Sequence, residues 1–411
     1  MSKRAGQQGI GKEPSRRAFV LVIDACGVGA LPDAADYGDE GTNTLAHVAG
    51  AVDGMDLPTL ASLGLGSILP LTGVAPAEDP AIYGRLHALG PGKDSTAGHW
   101  ELMGIVLDRP LPTYPDGFPP AVIARLQAAM GHKTVCNRPY NGIAAIEDYG
   151  AEHLSTGALI LYTSQDSVLQ LAAHVERVMP IEELYRACAA ARAQMTGEHA
   201  VGRVIARPFT GKPGAFERTE GRRDFALAPP SGGYLQELVD VGVPTHGVGK
   251  ISDLFAGVGI GRSHPGATNA RALRSARELL EGLDRGLAFV NLIETDQVYG
   301  HRKDALGFYE ALRAIDAELG EWLAELRSED LLIVTADHGV DPAHRGTDHT
   351  REYAPLLAIT GEMLAPRSGR TVGGGRAGAR HDGPLADVGA TVLRWLTGRD
   401  AAILPGRSFL A

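Results

Sequence analysis

The chain has 411 residues, 44% of them hydrophobic, 21% charged, and a net charge of −10. That is enough apolar material for a large core and two domains, and too little charge for a largely disordered chain. The acidic balance argues against a general nucleic-acid binder, which relies on clustered Lys and Arg. It leaves room for an anionic substrate, because bound divalent cations reverse a local field.

Residues 1–17 are polar and basic with no apolar stretch, so they read as a flexible tail and not as a signal peptide. Residues 18–24 (AFVLVID) form a short apolar run rich in β-branched residues, the mark of a buried parallel strand, and end in Asp24. The segment 92–100 (GKDSTAGHW) sets two hydroxyls, Ser95 and Thr96, after a Gly-Lys-Asp turn. Residues 110–120 (PLPTYPDGFPP) hold too many prolines for a helix or central strand. Beyond them come a strand at 158–163 (ALILYT), a helix at 180–195 and a strand at 202–206. A second breaker cluster follows at 228–233 (APPSGG), so 111–230 reads as an α/β domain inserted between core segments 18–110 and 231–411. Helical patterns at 269–283 and 307–327 flank two further buried strands, 287–296 (LAFVNLIETD) and 331–337 (LLIVTAD), each ending in an acid. The glycine-rich stretch 371–378 reads as a surface loop. Strands alternating with helices predict a doubly wound α/β sheet, whose ligands bind beyond the carboxyl ends of the strands.

The three cysteines, Cys26, Cys136 and Cys188, are widely spaced and odd in number, which fits a reducing cytoplasm better than a disulfide framework. No apolar run approaches the ~20 residues that span a membrane.

Three strand ends offer candidate metal ligands. Asp337 and His338 stand in an Asp-His-Gly turn with His349 eleven residues on; Asp296 and His301 share the loop ETDQVYGHRKD; Asp24 precedes CGVG. Carboxylate and imidazole suit a divalent cation such as Mn²⁺ or Zn²⁺, and the lack of Cys ligands speaks against a structural zinc cage. Each pair alone reads equally well as a strand cap or solvated loop. Three carboxylates and three imidazoles at one sheet edge suffice for two ions once a nucleophile joins them. A serine near such cations needs no separate Ser-His-Asp relay. Ser95 also suits the N-cap of a helix, and that role is compatible with a reactive one, because a helix N-terminus favours phosphate.

These segments, in this order, resemble the phosphopentomutase family of the alkaline phosphatase superfamily. The similarity runs through VIDACGVGALPDA at 22–34, GKDSTAGHWELMG at 92–104, LILYTSQDSVLQLAAH at 159–174 and VGRVIARPF at 201–209. It continues through VGKISDLF at 248–255, GHRKD at 300–304 and TADHGVDPAHRGTDHTREYAPLL at 335–357. The resemblance implies an alkaline phosphatase-like core with an inserted cap, two Mn²⁺ or other divalent metals, and phosphate transfer between C1 and C5 of ribose or deoxyribose. It implies one ion held by Asp24, Asp337, His338 and the nucleophile, and another by Asp296, His301 and His349. The phosphorylated hydroxyl follows Lys-Asp, which gives Ser95 rather than Thr96. The family often has threonine there, so serine is a mild departure that frees the rotamer. Glu294 stands where the family often has aspartate and receives no ligand role. Sugar and phosphate contacts fall on Ser164, Asp166, Arg203, Ile205 and Lys250. A phosphoserine enzyme, a bisphosphate intermediate and a sugar bisphosphate activator complete the expectation, with small pentose phosphates as partners, no nucleic acid or membrane, and the oligomeric state left open. The competing readings are a phosphoglycerate mutase or phosphohydrolase on the same metal core, and a catalytically silent metal- or nucleotide-sugar-binding protein. No ligand or nucleophile position is empty, which speaks against the last.

Overall fold

A computed structural model describes residues 15–164, 167–364 and 378–410. Three strands, Arg17–Ile23, Gly286–Leu292 and Asp330–Thr335, are buried along their whole length, as their unbroken apolar runs require. Arg17–Ile23 lies between the other two, parallel to both, with Ile23 beside Leu292 and Val22 beside Thr335. All three therefore end at one rim. The strand expected to reach residue 337 stops at Thr335, and the one expected to reach 296 stops at Leu292, so the acids lie in the turns beyond.

The sheet is wider than the three apolar runs foretell. Thr245–Val248 and Arg262–His264 extend it on one side; Ala354–Thr360, Ile82–His87 and Gly383–Pro384 extend it on the other, making eight strands. Ala354–Thr360 runs antiparallel to both of its neighbours, so the sheet is mixed. It therefore begins at the rim where the parallel strands end, and the segment leading into it carries His349 past their tips. Helices Asn269–Gly282 and Ala305–Glu325 pack together over the sheet, and Asp387–Thr397 forms another layer with Tyr234–Asp240 and Ser95–Leu102.

A second sheet runs in the order Thr134–Pro139, Leu159–Thr163, Val168–His174, Arg203–Lys212 and Ala215–Arg218, with Arg223–Ala226 also on Arg203–Lys212. Helices Pro120–Met130, Gly142–Thr156 and Ile181–Gln194 belong with it. Its two apolar clusters draw only on residues between Tyr114 and Phe225, while the cluster of the large sheet takes none from that interval. The fold is thus an α/β core interrupted by a second α/β unit. Of the expected 371–378 loop, 371–377 lie outside the described residues.

At the opposite end of the core strands from the rim, Arg17 and Asp330 form a fully buried pair. Arg17 Nε and Nη2 donate to the two carboxylate oxygens at 2.7 and 2.5 Å, and Nη1 donates to the carbonyls of Leu280 and Leu283.

Candidate metal centre and active site

The rim gathers Asp24, Asp337 and His338 from two adjacent strand ends. Ala25 holds φ = 65°, a left-handed conformation rare for a residue with a Cβ, and its N–H donates to Asp337 Oδ1 at 3.3 Å. That turn sets the two carboxylates side by side. His338 donates from Nδ1 to the Gly339 carbonyl at 3.2 Å, which aims Nε2 inward. Around Nε2 stand Ser95 Oγ at 3.0 Å, Asp337 Oδ2 at 3.2 Å and Asp24 Oδ1 at 3.3 Å.

Ser95 reaches this point on the first turn of helix Ser95–Leu102. The cap, however, is Asp94 and not Ser95: its side chain accepts from the N–H groups of Thr96 and Ala97 at 3.0 and 3.1 Å. The serine hydroxyl is left for the rim. Gly98 lets the helix lie on the Asp337 turn, since a Cβ there would stand 2.4 Å from the Asp337 carbonyl oxygen.

A second group adjoins the first. Residues Thr295–Tyr299 form a π-helical turn followed by a 3₁₀ turn, Gly300–Arg302. In an α-helix residues five apart would point roughly 140° apart; the wider turn instead brings Asp296 and His301 together, with His301 Nε2 3.4 Å from Asp296 Oδ1. His349 Nε2 lies 3.4 Å from the same oxygen. His301 Nδ1 donates to the Thr347 carbonyl at 2.6 Å, which fixes the ring and turns Nε2 inward. The His338 and His349 rings lie 4.1 Å apart, so the two groups form one site. Glu294 turns away and pairs with Asn269.

Buried carboxylates normally collect donors. Asp24 Oδ1, Asp296 Oδ1 and Asp337 Oδ2 accept no well-formed hydrogen bond, and among the described residues no Lys or Arg ion pair reaches them. They face imidazole nitrogens instead, and two nearby triads, Asp296–His338–His349 and Asp24–His99–Asp337, have ligand atoms close enough to share an ion. The titration tendencies agree. Burial and then the Asp337 charge push the Asp24 carboxyl up. Burial also pushes on Asp337 and Asp296, but the imidazoles of His338 and His99, and of His349 and His301, hold both below the ordinary carboxylate range. Burial lowers His338, yet Asp337 and Asp24 together drive it well above its usual value. The donor set fits hard or borderline divalent ions.

A cavity of about 410 Å³ opens from this rim toward the second sheet, lined by Ser95, Thr96, Asp296, His301 and His349 on one side. Ser164, Arg203, Ile205 and Lys250 line it too, while Asp166 lies outside the described residues. Arg203, Ile205 and Arg207 share one face of their strand by simple alternation, and Arg218 and Arg222 join them on the wall. The sequence reading missed those last three arginines, together with His99 and Asn291 beneath the rim. Lys250 Nζ donates to Gln297 Oε1 at 2.7 Å; protein crowding, reinforced by the Arg203 charge, pulls its ammonium down to about 8, although the residue is half-buried on the cavity wall.

A family model described as the metalloenzyme superfamily matches residues 16–398. The phosphopentomutase of Carboxydothermus hydrogenoformans is 50% identical over 83% of this chain and 88% of its own length. That of Caldanaerobacter subterraneus is 47% identical over 92% and 93%, and that of Acetivibrio thermocellus 48% identical over 96% and 99%. Identity at that level along almost the whole chain, on a rim built of unsatisfied carboxylates and imidazoles, leaves one assignment: the chain belongs to the phosphopentomutase family of the metalloenzyme superfamily.

Proposed function

We propose that this protein interconverts ribose or deoxyribose 1-phosphate and 5-phosphate through a phosphoserine at Ser95 and a pentose bisphosphate. The observation that carries this reading is the placement of Ser95 Oγ 3.0 Å from His338 Nε2, at the rim of a cavity whose far wall is cationic. Asp24, Asp337, His338 and Ser95 would hold one divalent ion, and Asp296, His301 and His349 a second, Mn²⁺ being the expected metal. Bound there, the ions supply charge neutralisation for the phosphoryl oxygens.

The chain's own residues do the rest. Phosphate carried on Ser95 sits at a helix N-terminus, where backbone N–H groups and the helix dipole favour an anion. A pentose phosphate enters the cavity with its existing phosphate toward Arg203 and Lys250. The planar guanidinium gives that phosphate a fixed orientation, and the ammonium adds a compact charge. The bond from phosphorus to Ser95 breaks as a bond to the sugar's free hydroxyl oxygen forms, and the proton lost by that hydroxyl balances the one regained by the released Ser95 oxygen. The bisphosphate turns over, and its other phosphate returns to Ser95. Residues 111–230 act as a cap that keeps water from the phosphoserine, which would otherwise be hydrolysed. A sugar bisphosphate primes the unphosphorylated chain.

The test is intact mass after incubation with a pentose bisphosphate and Mn²⁺, with the modified residue mapped by fragmentation. Parallel assays use ribose 1-phosphate, 3-phosphoglycerate and a generic phosphate ester. The expected result is one phosphoryl group on Ser95 and turnover of the pentose alone. Phosphate elsewhere, or equal turnover of the other substrates, refutes the reading.

A further inference from the structure

Strand Gly286–Leu292 is buried throughout, and one of its seven residues, Asn291, carries a polar side chain. Burying an amide in an apolar strand costs free energy unless its hydrogen bonds are made, so the residue needs a reason. Asn291 Nδ2 lies 2.8 Å from Asp24 Oδ2 and 3.2 Å from His99 Nε2, which uses both of its N–H groups. The amide cannot be turned over, because its oxygen would then face the Asp24 carboxylate. Nδ1 of His99 stands 2.8 Å from the Ser95 carbonyl and donates to it, leaving Nε2 toward the Asn291 amide. Asp337 Oδ2 lies 3.0 Å from Nδ1. That nitrogen already bears a hydrogen, so His99 is not free to ligate an ion through it, although it stands within ligand range of Asp24 and Asp337. Asp24, Asn291 and His99 are all fully buried.

We propose that Asn291 and His99 are positioning residues for the metal centre. Asn291 binds Asp24 Oδ2 and so presents Oδ1, the oxygen with no hydrogen-bond donor, to the ion. His99 fixes the Asn291 amide and ties it to the backbone of the residue that carries the nucleophile. The carboxylate and the hydroxyl, 71 positions apart in the chain, are thereby held in one register from beneath. The inference rests on the rim being a metal site, as in the reading above, but not on the reaction catalysed there.

The test is titration of the metal-free protein with Mn²⁺ alone, by calorimetry, with no substrate. Asn291→Leu should weaken one of the two Mn²⁺ sites, the one that includes Asp24, by about 10–100-fold, the usual effect of losing an outer-sphere partner. His99→Leu should weaken it comparably. His99→Gln, whose amide oxygen can still accept from Asn291, should recover most of the affinity. The double variant Asn291→Leu/His99→Leu should be no worse than either single one, because the two act as a unit. If the residues merely fill the core, melting temperatures drop but Mn²⁺ affinity stays within twofold of the parent protein, and the proposal fails. Equal loss in His99→Gln and His99→Leu also overturns it. Should Asn291→Leu not fold, the two His99 variants decide the question. Normal Mn²⁺ behaviour in all variants of a protein lacking mutase turnover would count against both proposals; the expected Mn²⁺ pattern without turnover sinks only the reaction.

Discussion

At the start of the neighbouring strands Arg17–Ile23 and Asp330–Thr335, one guanidinium and one carboxylate close on each other and on two carbonyls. Seven residues further along the same two segments, Asp24 and Asp337 lie side by side with oxygens that no donor satisfies. Burial is nearly complete at both ends. What differs is whether the chain supplies the counter-charge. The Arg17 end is finished by protein alone and serves the fold. The Asp24 end is held by backbone, the Asn291 amide and imidazole, and leaves Asp24 Oδ1 and Asp337 Oδ2 without a donor. A buried ion pair needs no explanation beyond the fold, whereas several clustered carboxylates, each with one buried oxygen that no donor satisfies, call for a ligand.

Mutations at the two ends should therefore separate activity from stability. Ser95→Ala is expected to reduce mutase turnover on the order of 10⁴-fold or more, with an unchanged melting temperature because Asp94 still caps the helix; full activity would remove Ser95 from the chemistry. Asp337→Asn should lower turnover by orders of magnitude and the bound metal with it, in a protein that folds normally; unchanged stoichiometry by elemental analysis contradicts the ligand role. Asp330→Asn should do the reverse. It strands Arg17 and costs about 3–5 kcal/mol in denaturant unfolding, while metal content and turnover per folded molecule stay put. Chelation should then reproduce the rim's share alone. Removing metal held at 100 times its Kd should cost about 2.7 kcal/mol per site, by the same amount in Asp330→Asn as in the parent and by less in Asp337→Asn.

The smallest effect concerns pH. Lys250 holds its proton below about 8, so the attraction for substrate phosphate proposed for it is complete at lower pH and fades as pH rises through that value. Accordingly kcat/KM should fall several-fold between about pH 7 and 9 for this reason. Lys250→Arg should abolish that inflection, because the guanidinium stays charged; an unaltered inflection assigns it to another group.

Much of this site was legible because its strands are continuous apolar runs that stop at acids. The strand Ala354–Thr360 (APLLAIT) is just as apolar, but it follows a motif-rich stretch and runs against its neighbours, and nothing in a single sequence marks direction. Asp296 and His301 looked like a weak pair because polar residues at that spacing are ordinary in a solvated loop, and the π-helical turn that precedes His301 has no compositional signature. Asp94 and Ser95 are both good caps, so choosing between them needed coordinates. Asn291 and His99 were each one polar letter within a plausible segment. Nothing in the sequence singles out the arginines at 207, 218 and 222, which share a cavity wall only once the second sheet is folded. The signal available for Asn291 was its own oddity: an amide amid FVNLI has no packing role.

The capping of helix Ser95–Leu102 by Asp94 leaves the neighbouring Ser95 hydroxyl facing the rim instead of the helix end. Architecture rests on the aspartate, so the side chain at 95 is released from any obligation to the fold. Substituting serine, threonine or alanine at that position therefore probes reactivity by itself, and a lineage can exchange one hydroxyl for another there without having to rebuild the helix around it.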